Sequence, residues 1–414
     1  MLGPYREVLR TPHTPSMELF GFVGRLPLSM IGLGSVLLIV GAYPDGSYGL
    51  GGTVAAVGAV ATAILGPILG RLADRYGQRK VLIPVVIMFA AGAAMFIIAV
   101  RSHAAPWVLY VAGAIAGGFI PPVGSMLRAR WAYLLEGSSR LPTALAMESV
   151  IEELCFILGP VLVTVLSTAG HATLGMIVAA GFAVVGSLML ATQARTEPPP
   201  GHGGEVPRGA RSPIRIPGLM ILCVVGMAMG VILGTFELVL TAFSEQQGRP
   251  AMAGVLIAAL AVGSMLSGIV WGTIDWIAPL NRRLALLLSA LTIATLPALV
   301  ITNVWVMAVI VAVLGIAVSP TLITTFTICE NIVPREQANE GFTWIGTMIA
   351  LGVAVGTSLS GITTDRYTAN LAFGVATVAA LLAAAVVWLG RRQLQARGRH
   401  LTADSSYGYP ELNV

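Results

Sequence analysis

Charge is what this sequence has least of. Of its 414 residues only 10% are charged, whereas 56% are hydrophobic, and the mean hydropathy is +0.85. Soluble domains carry about 25% charged residues, so a chain of this length would leave much of a water-facing surface apolar. The composition therefore excludes a soluble enzyme and indicates a protein that crosses a membrane many times.

Cysteine and catalytic motifs are also scarce. The three cysteines lie within apolar runs, so no disulfide framework is indicated. No G-x-x-x-x-G-K-[ST] run occurs, which disfavours an ATP-driven pump. The five histidines lie in tails, loops or the linker, and none stands near an acid pair. We therefore expect no enzyme activity, no cofactor, no metal and no nucleic-acid partner.

What the sequence has in abundance is long apolar runs. A helix needs about 20 mostly apolar residues to cross a bilayer, and the runs are continuous rather than alternating, which excludes membrane strands. We predict an all-α integral membrane protein with twelve spans. They cover roughly 17–41, 48–70, 81–100, 106–126, 142–168, 172–193, 217–241, 251–272, 284–302, 304–328, 341–362 and 370–389.

The basic residues predict the orientation. With both termini in the cytoplasm, 20 of the 24 Lys and Arg residues fall on the inner side. Three (Arg101, Arg249 and Arg366) fall outside, and Arg25 lies within the first span. This asymmetry follows the positive-inside rule for an even number of spans, so we expect a multi-pass protein of the cytoplasmic membrane.

One polar interruption divides the spans six and six. Residues 194–216, rich in Pro, Gly and charge, form a predicted cytoplasmic linker between an N-terminal half (17–193) and a C-terminal half (217–389). Residues 1–16 and 390–414 are predicted cytoplasmic tails. At an offset of 202 residues three glycines of the second span recur in the eighth, which favours two related halves. The pairs are Gly52 and Gly254, Gly66 and Gly268, Gly70 and Gly272.

The turn between the second and third spans carries the clearest motif. From Gly70 to Lys80 it reads GRLADRYGQRK. It resembles the signature loop of the major facilitator superfamily, G-x-L-A-D-R-x-G-R-K, and departs from it only at Gln78. The resemblance covers essentially the whole chain through span count, linker and topology, and it is to the twelve-span bacterial type of transporter.

This resemblance implies a secondary active transporter that works by alternating access, as a monomer, on a small molecule. It also implies a conformational-switch loop formed by Gly70, Asp74, Arg75, Gly77 and Arg79. Asp74 is expected to meet the positive end of the eleventh helix, near Gly341.

A second likeness is to the drug and metabolite efflux branch. It rests on Leu158-Gly159-Pro160 in the fifth span. The glycines that flank this pair in drug antiporters are missing here, and the fourth span has no Arg before Gly113 and Gly117. Proton-coupled efflux is the first hypothesis. A proton-coupled importer of an organic solute and a non-transporting sensor or assembly protein of the same fold stay open.

Charged residues inside spans are the main site candidates, since each costs about 2.5–3.5 kcal/mol on insertion scales. The candidates for substrate binding or proton coupling are Arg25, Glu148, Glu152, Glu153 and Glu237. Glu152 or Glu153, near the midplane, is the expected proton-coupling group. Arg25 is expected either to neutralise a glutamate or to bind an anionic substrate group; the alternative is a static ion pair.

Hydroxyl groups of the tenth span are further candidates. Ser319, Thr321, Thr324 and Thr325 are predicted to line a cavity. The alternative is that they hydrogen-bond their own helix backbone, as threonines in membrane helices commonly do.

Overall fold

The computed structural model describes residues 3–43, 48–138, 140–169, 171–200, 212–249, 252–274 and 276–395. Residues 201–211 of the predicted linker and 396–414 of the predicted C-terminal tail lie outside the described residues. Within the described residues the protein is helical throughout, with fourteen α-helices, three short 3-10 helices and no strand.

The α-helices follow one another with short connections. They are α1 (Gly3–Leu9), α2 (Thr14–Ala42), α3 (Tyr48–Tyr76), α4 (Gln78–Arg101), α5 (Pro106–Gly118), α6 (Val123–Leu134), α7 (Leu141–Ala169), α8 (Ala172–Thr192), α9 (Pro217–Gln246), α10 (Met252–Trp271), α11 (Leu280–Thr295), α12 (Val304–Ile332), α13 (Ala338–Arg366) and α14 (Ala369–Gly390).

Twelve segments are long and apolar enough to cross a membrane, which confirms the predicted number of spans. Eleven of them are single helices or a helix with its adjoining short turn, whereas the fourth joins α5 and α6. The helix breaks between these two at Pro121-Pro122, because proline supplies no backbone N–H and clashes with the preceding turn.

The fourth span is also longer than predicted. It continues through α6 to Leu134, eight residues beyond the predicted end at residue 126. The prediction that Arg128 and Arg130 follow the span is therefore wrong. Both side chains are buried within α6.

Close helix contacts depend on glycine. Lipid gives no hydrophobic drive for helix association, so small residues that let backbones approach are favoured. A Cβ added at Gly230 or Gly234 would collide with the backbone of α13, and one at Gly352 or Gly356 with the backbone of α9. These glycines make α9 and α13 a closely packed pair within the C-terminal half.

The two ends of the helix bundle differ in how tightly they are packed. We call the end that holds the α3–α4 turn the basic side. Residues 143–149 of α7 and 339–343 of α13, near this side, are consecutive buried residues. A run longer than one helical turn must be surrounded on every face. Toward the opposite side α7 exposes Phe156, Leu158 and Val161.

The repeated glycines show the same difference. At Gly70 and Gly272, near the basic side, an added Cβ would meet residues of the other half within 3 Å. At Gly52 and Gly254, near the opposite side, it would meet nothing within 4 Å. The halves therefore meet at the basic side and separate toward the opposite side, which leaves the space between them open there.

Candidate functional site

Three predicted site residues lie on α7, where it faces the middle of the molecule. Glu148 and Glu152 are four residues apart and share one face of the helix, whereas Glu153 is rotated by about 100°. Glu148 is fully buried, and Glu152 and Glu153 are half-buried. Each of the three has a different partner.

Arg25 of α2 is the partner of Glu148. Its Nη2 forms an ion pair with the Glu148 carboxylate, and its Nη1 lies 3.5 Å from the Glu148 carbonyl oxygen. Both side chains are almost completely buried. Removing one member of such a pair leaves a buried charge and costs about 3–5 kcal/mol. The structure thus places Arg25 as the counter-ion of Glu148.

Two further residues, Glu18 and Trp131, join this pair and were not predicted. The Trp131 indole N–H lies 2.6 Å from a carboxylate oxygen of Glu18 and 3.0 Å from one of Glu148. Glu18 is buried, and its second carboxylate oxygen has no hydrogen-bond partner in the described part of the chain. A signal was present, because Glu18 precedes Arg25 by seven residues, which places both on one helix face.

Arg128 of α6 is the partner of Glu152. The two form an ion pair in which Arg128 is buried and the Glu152 side chain is 29% exposed. The Arg128 guanidinium also lies over the ring of Phe326 in α12, 3.9 Å from its centroid, a distance suited to a cation–π contact. Because α12 belongs to the C-terminal half, Arg128 connects the halves.

Glu153 has no basic partner among the described residues. One carboxylate oxygen accepts a hydrogen bond from the Ser264 hydroxyl of α10. The other is buried and has no hydrogen-bond partner in the described structure. Since α7 and α10 lie in different halves, this hydrogen bond crosses the interface that alternating access must open.

Glu237 stands apart from this group. It is exposed on α9, nine residues before the helix ends at Gln246. No hydrogen bond or ion pair of its side chain joins it to the glutamates of α7 in the described structure. Its predicted role in coupling therefore has no contact to support it.

The four hydroxyl residues of α12 line no open cavity in this conformation. All are buried. Thr321, Thr324 and Thr325 donate to the carbonyl oxygens four residues earlier, at 2.6–2.7 Å. Ser319 lies against Gly268 and has no hydrogen-bond partner in the described residues.

Asp74, at the end of α3, binds the first turn of α13. Its two carboxylate oxygens accept from the backbone N–H groups of Asn339 at 3.0 Å and Glu340 at 2.9 Å. The Asn339 side-chain amide donates to it as well, at 2.6 Å. These N–H groups have no partner within the helix, and a carboxylate is stabilised at this positive end of the helix dipole.

The rest of the switch loop has simpler roles. Gly70 lets α3 approach α13, since an added Cβ would lie 2.7 Å from the Thr343 hydroxyl and 3.0 Å from the Asn339 carbonyl oxygen. Gly77 has a φ of 94°, which suits the reversal into α4. Arg75 lies over the Tyr76 ring, and the Arg79 N–H donates to Glu197 at 2.9 Å.

Gln78, the one departure from the signature, is fully buried beneath this loop. It accepts from Arg130 Nε at 2.7 Å and donates to the Asn339 side chain at 3.0 Å. Arg130 also binds the carbonyl oxygens of Leu190 and Gln193 near the end of α8. The neutral amide at position 78 accordingly joins α6, α8 and α13, with Arg130 supplying the charge.

Comparison with known proteins agrees with this geometry. Residues 21–296 and 249–404 match the sequence profile of the Major Facilitator Superfamily. Comparison with curated protein sequences gave no significant match.

Several solved structures share the fold. A bacterial homologue of the iron transporter ferroportin, in an outward-facing state with soaked iron, superposes with a TM-score of 0.70 at 13% identity, over 91% of this chain and 98% of that one. The E. coli fucose:proton symporter gives 0.67 at 15% identity, over 93% and 98%. The human organic anion transporter MFSD10 gives 0.63 at 14%, over 90% and 96%.

The protein belongs to the Major Facilitator Superfamily. It is thus a multi-pass membrane transporter that moves a small solute by secondary transport, and it is not an enzyme.

Proposed function

We propose that this transporter is coupled to protons and exports a drug-like compound or a metabolite across the cytoplasmic membrane. The observation that carries the coupling is the position of Glu153. Glu148 and Glu152 each have an arginine partner, whereas Glu153 has only the Ser264 hydroxyl in the described structure.

Proton binding and closure of the basic side would be linked through this contact. Burying an ionised carboxylate without a counter-ion is costly, so the closed contact with Ser264 favours the neutral carboxyl group. When α7 and α10 separate, water reaches Glu153 and the ionised form is restored. A group whose two protonation states prefer different conformations couples proton transfer to the conformational change.

Substrate would enter the space between the halves from the side opposite the basic side. Glu152, paired with Arg128 and partly exposed, lies beside Glu153 and is the charged group best placed to meet it. We propose the segments 17–193 and 217–389 as the two moving bodies of a monomer, with the linker 194–216 between them.

Orientation and direction complete the proposal. The excess of Arg on the basic side favours a cytoplasmic location for that side and for both termini. Export is favoured by Gly159-Pro160 in α7. An added Cβ at Gly159 would collide with Ser29, so this pair marks the close approach of α2 to α7.

The test begins with growth of deletion and overexpression strains on a compound panel, and continues with each hit in proteoliposomes that contain a pH-sensitive dye. We expect an imposed pH gradient to drive uptake of the hit in exchange for protons. Glu153→Gln should abolish gradient-driven flux and preserve exchange of the hit at equal pH.

The matched control is Glu7→Gln, an identical change in α1 outside the spans, which should leave flux unchanged. Wild-type pH dependence in both Glu153→Gln and Glu152→Gln, with the proteins folded, would contradict the coupling proposal. Proton movement in the same direction as the hit would contradict export by exchange and favour symport.

A further inference from the structure

The end of α10 on the basic side is held by two hydroxyl groups from the other half. The last carbonyl groups of a helix have no partner within it. The Tyr5 hydroxyl lies 2.8 Å from the Ile269 carbonyl oxygen and 3.2 Å from that of Gly268. The Thr143 hydroxyl donates to the Gly272 carbonyl oxygen at 2.6 Å. Both donors therefore satisfy acceptors that α10 itself leaves free.

Tyr5 reaches α10 because α1 is attached to the N-terminal half. Val8 and the Tyr5 ring are buried in a cluster that includes Leu141, Ala144 and Leu145 of α7. Burial raises the pKa of Tyr5 to about 12. The phenol consequently stays protonated, and able to donate, throughout the physiological pH range.

The approach is close only because residue 272 is glycine. An added Cβ there would lie 2.5 Å from the Tyr5 hydroxyl and 2.6 Å from Ala146 Cβ. Gly272 corresponds to Gly70 in the sequence repeat, and Gly70 makes the equivalent close approach to α13. The α3–α13 contact and the α10 contact thus occupy matching positions in the two halves.

We propose that Tyr5 and Thr143 are positioning residues that hold the basic side closed, and that α1 is part of the gate. When the basic side opens, α10 moves away from α7 and both hydroxyl–carbonyl hydrogen bonds break, while α1 stays with the N-terminal half. The proposal rests on alternating access and is independent of the coupling ion and of the direction of transport.

The experiment measures the gate directly. Spin labels at Lys80 and Arg282, both exposed near the basic side, report its opening by double electron–electron resonance. The three buried cysteines are first replaced by alanine. We expect Tyr5→Phe and Thr143→Val each to raise the ratio of open to closed molecules about fivefold, the effect of losing one hydrogen bond, and about 25-fold together.

A merely structural role would not give a reciprocal change on the opposite side. Labels at Trp107 and Trp305, exposed at that side, should therefore report closure in the double variant. Tyr110→Phe is the matched control, because its hydroxyl bonds Thr53 within the same half, and it should change neither distance. An unchanged Lys80–Arg282 distribution in a folded double variant would overturn the proposal, as would an equal shift in Tyr110→Phe.

Discussion

The basic side is closed by two contacts that use opposite ends of a helix. In the first, which we call the carboxylate contact, Asp74 accepts hydrogen bonds from the first turn of α13. In the second, the hydroxyl contact, Tyr5 and Thr143 donate to the last turn of α10 and the residue after it. Both cross between the halves, and both depend on a glycine at the same place in the repeat.

The difference lies in charge. Hydrogen bonds to a charged group contribute about 1.5–3 kcal/mol, and neutral ones about 0.5–1.5 kcal/mol. The carboxylate contact is also favoured by the dipole of α13. It should therefore provide most of the free energy that keeps the basic side closed, with the hydroxyl contact a smaller addition. This also explains how the α10–α11 turn can lack the signature motif.

The largest expected effect comes from making the first contact neutral. Asp74→Asn removes the charge and at least one acceptor for the α13 backbone N–H groups. It should raise the ratio of open to closed molecules at the basic side by about 30- to 100-fold, from a loss of about 2–3 kcal/mol. The Lys80–Arg282 distance distribution measures it. A shift smaller than that of Tyr5→Phe would reverse the proposed ranking.

A steric change should have a smaller effect on the same contact. Gly70→Ala places a Cβ 2.7 Å from the Thr343 hydroxyl and should favour the open basic side by about 1–2 kcal/mol, as overpacking does elsewhere. Gly52→Ala, in the same helix but with nothing within 4 Å, is its control. If both variants gave the wild-type distance distribution, close approach of α3 to α13 would not be needed for closure.

The smallest effect is expected for the exposed ion pair beside α1. Glu7 lies 3.4 Å from Arg140, and more than half of each side chain is exposed. Such pairs contribute about 0–1 kcal/mol, so Glu7→Gln should change the Lys80–Arg282 distribution by less than twofold in population. A shift as large as that of Tyr5→Phe would show that α1 is held by charge rather than by its hydroxyl group.

The helices were largely predictable from the sequence, because each span is a continuous apolar run and the lipid allows no other backbone arrangement there. The span count and the signature loop needed only local patterns. The fourth span was misjudged at its end, since Arg128 and Arg130 look like loop residues when the partners that bury them are unknown.

The pairing of charges could not be predicted, because it depends on how the helices pack. The sequence singled out Arg25 and Glu148 but not Glu18 or Trp131, which meet them only in the fold. Likewise, nothing local distinguishes Glu152 from Glu153. The structure distinguishes them, since Arg128 lies beside one and Ser264 beside the other.

The central claim is that protonation of Glu153 and closure of the basic side are coupled. The most direct test is the Lys80–Arg282 distance distribution as a function of pH, in wild type and in Glu153→Gln. The account predicts that the closed fraction of the wild type falls as pH rises, because ionised Glu153 disfavours the buried contact with Ser264. Glu153→Gln should stay closed at every pH. The same pH dependence in both proteins would contradict the claim.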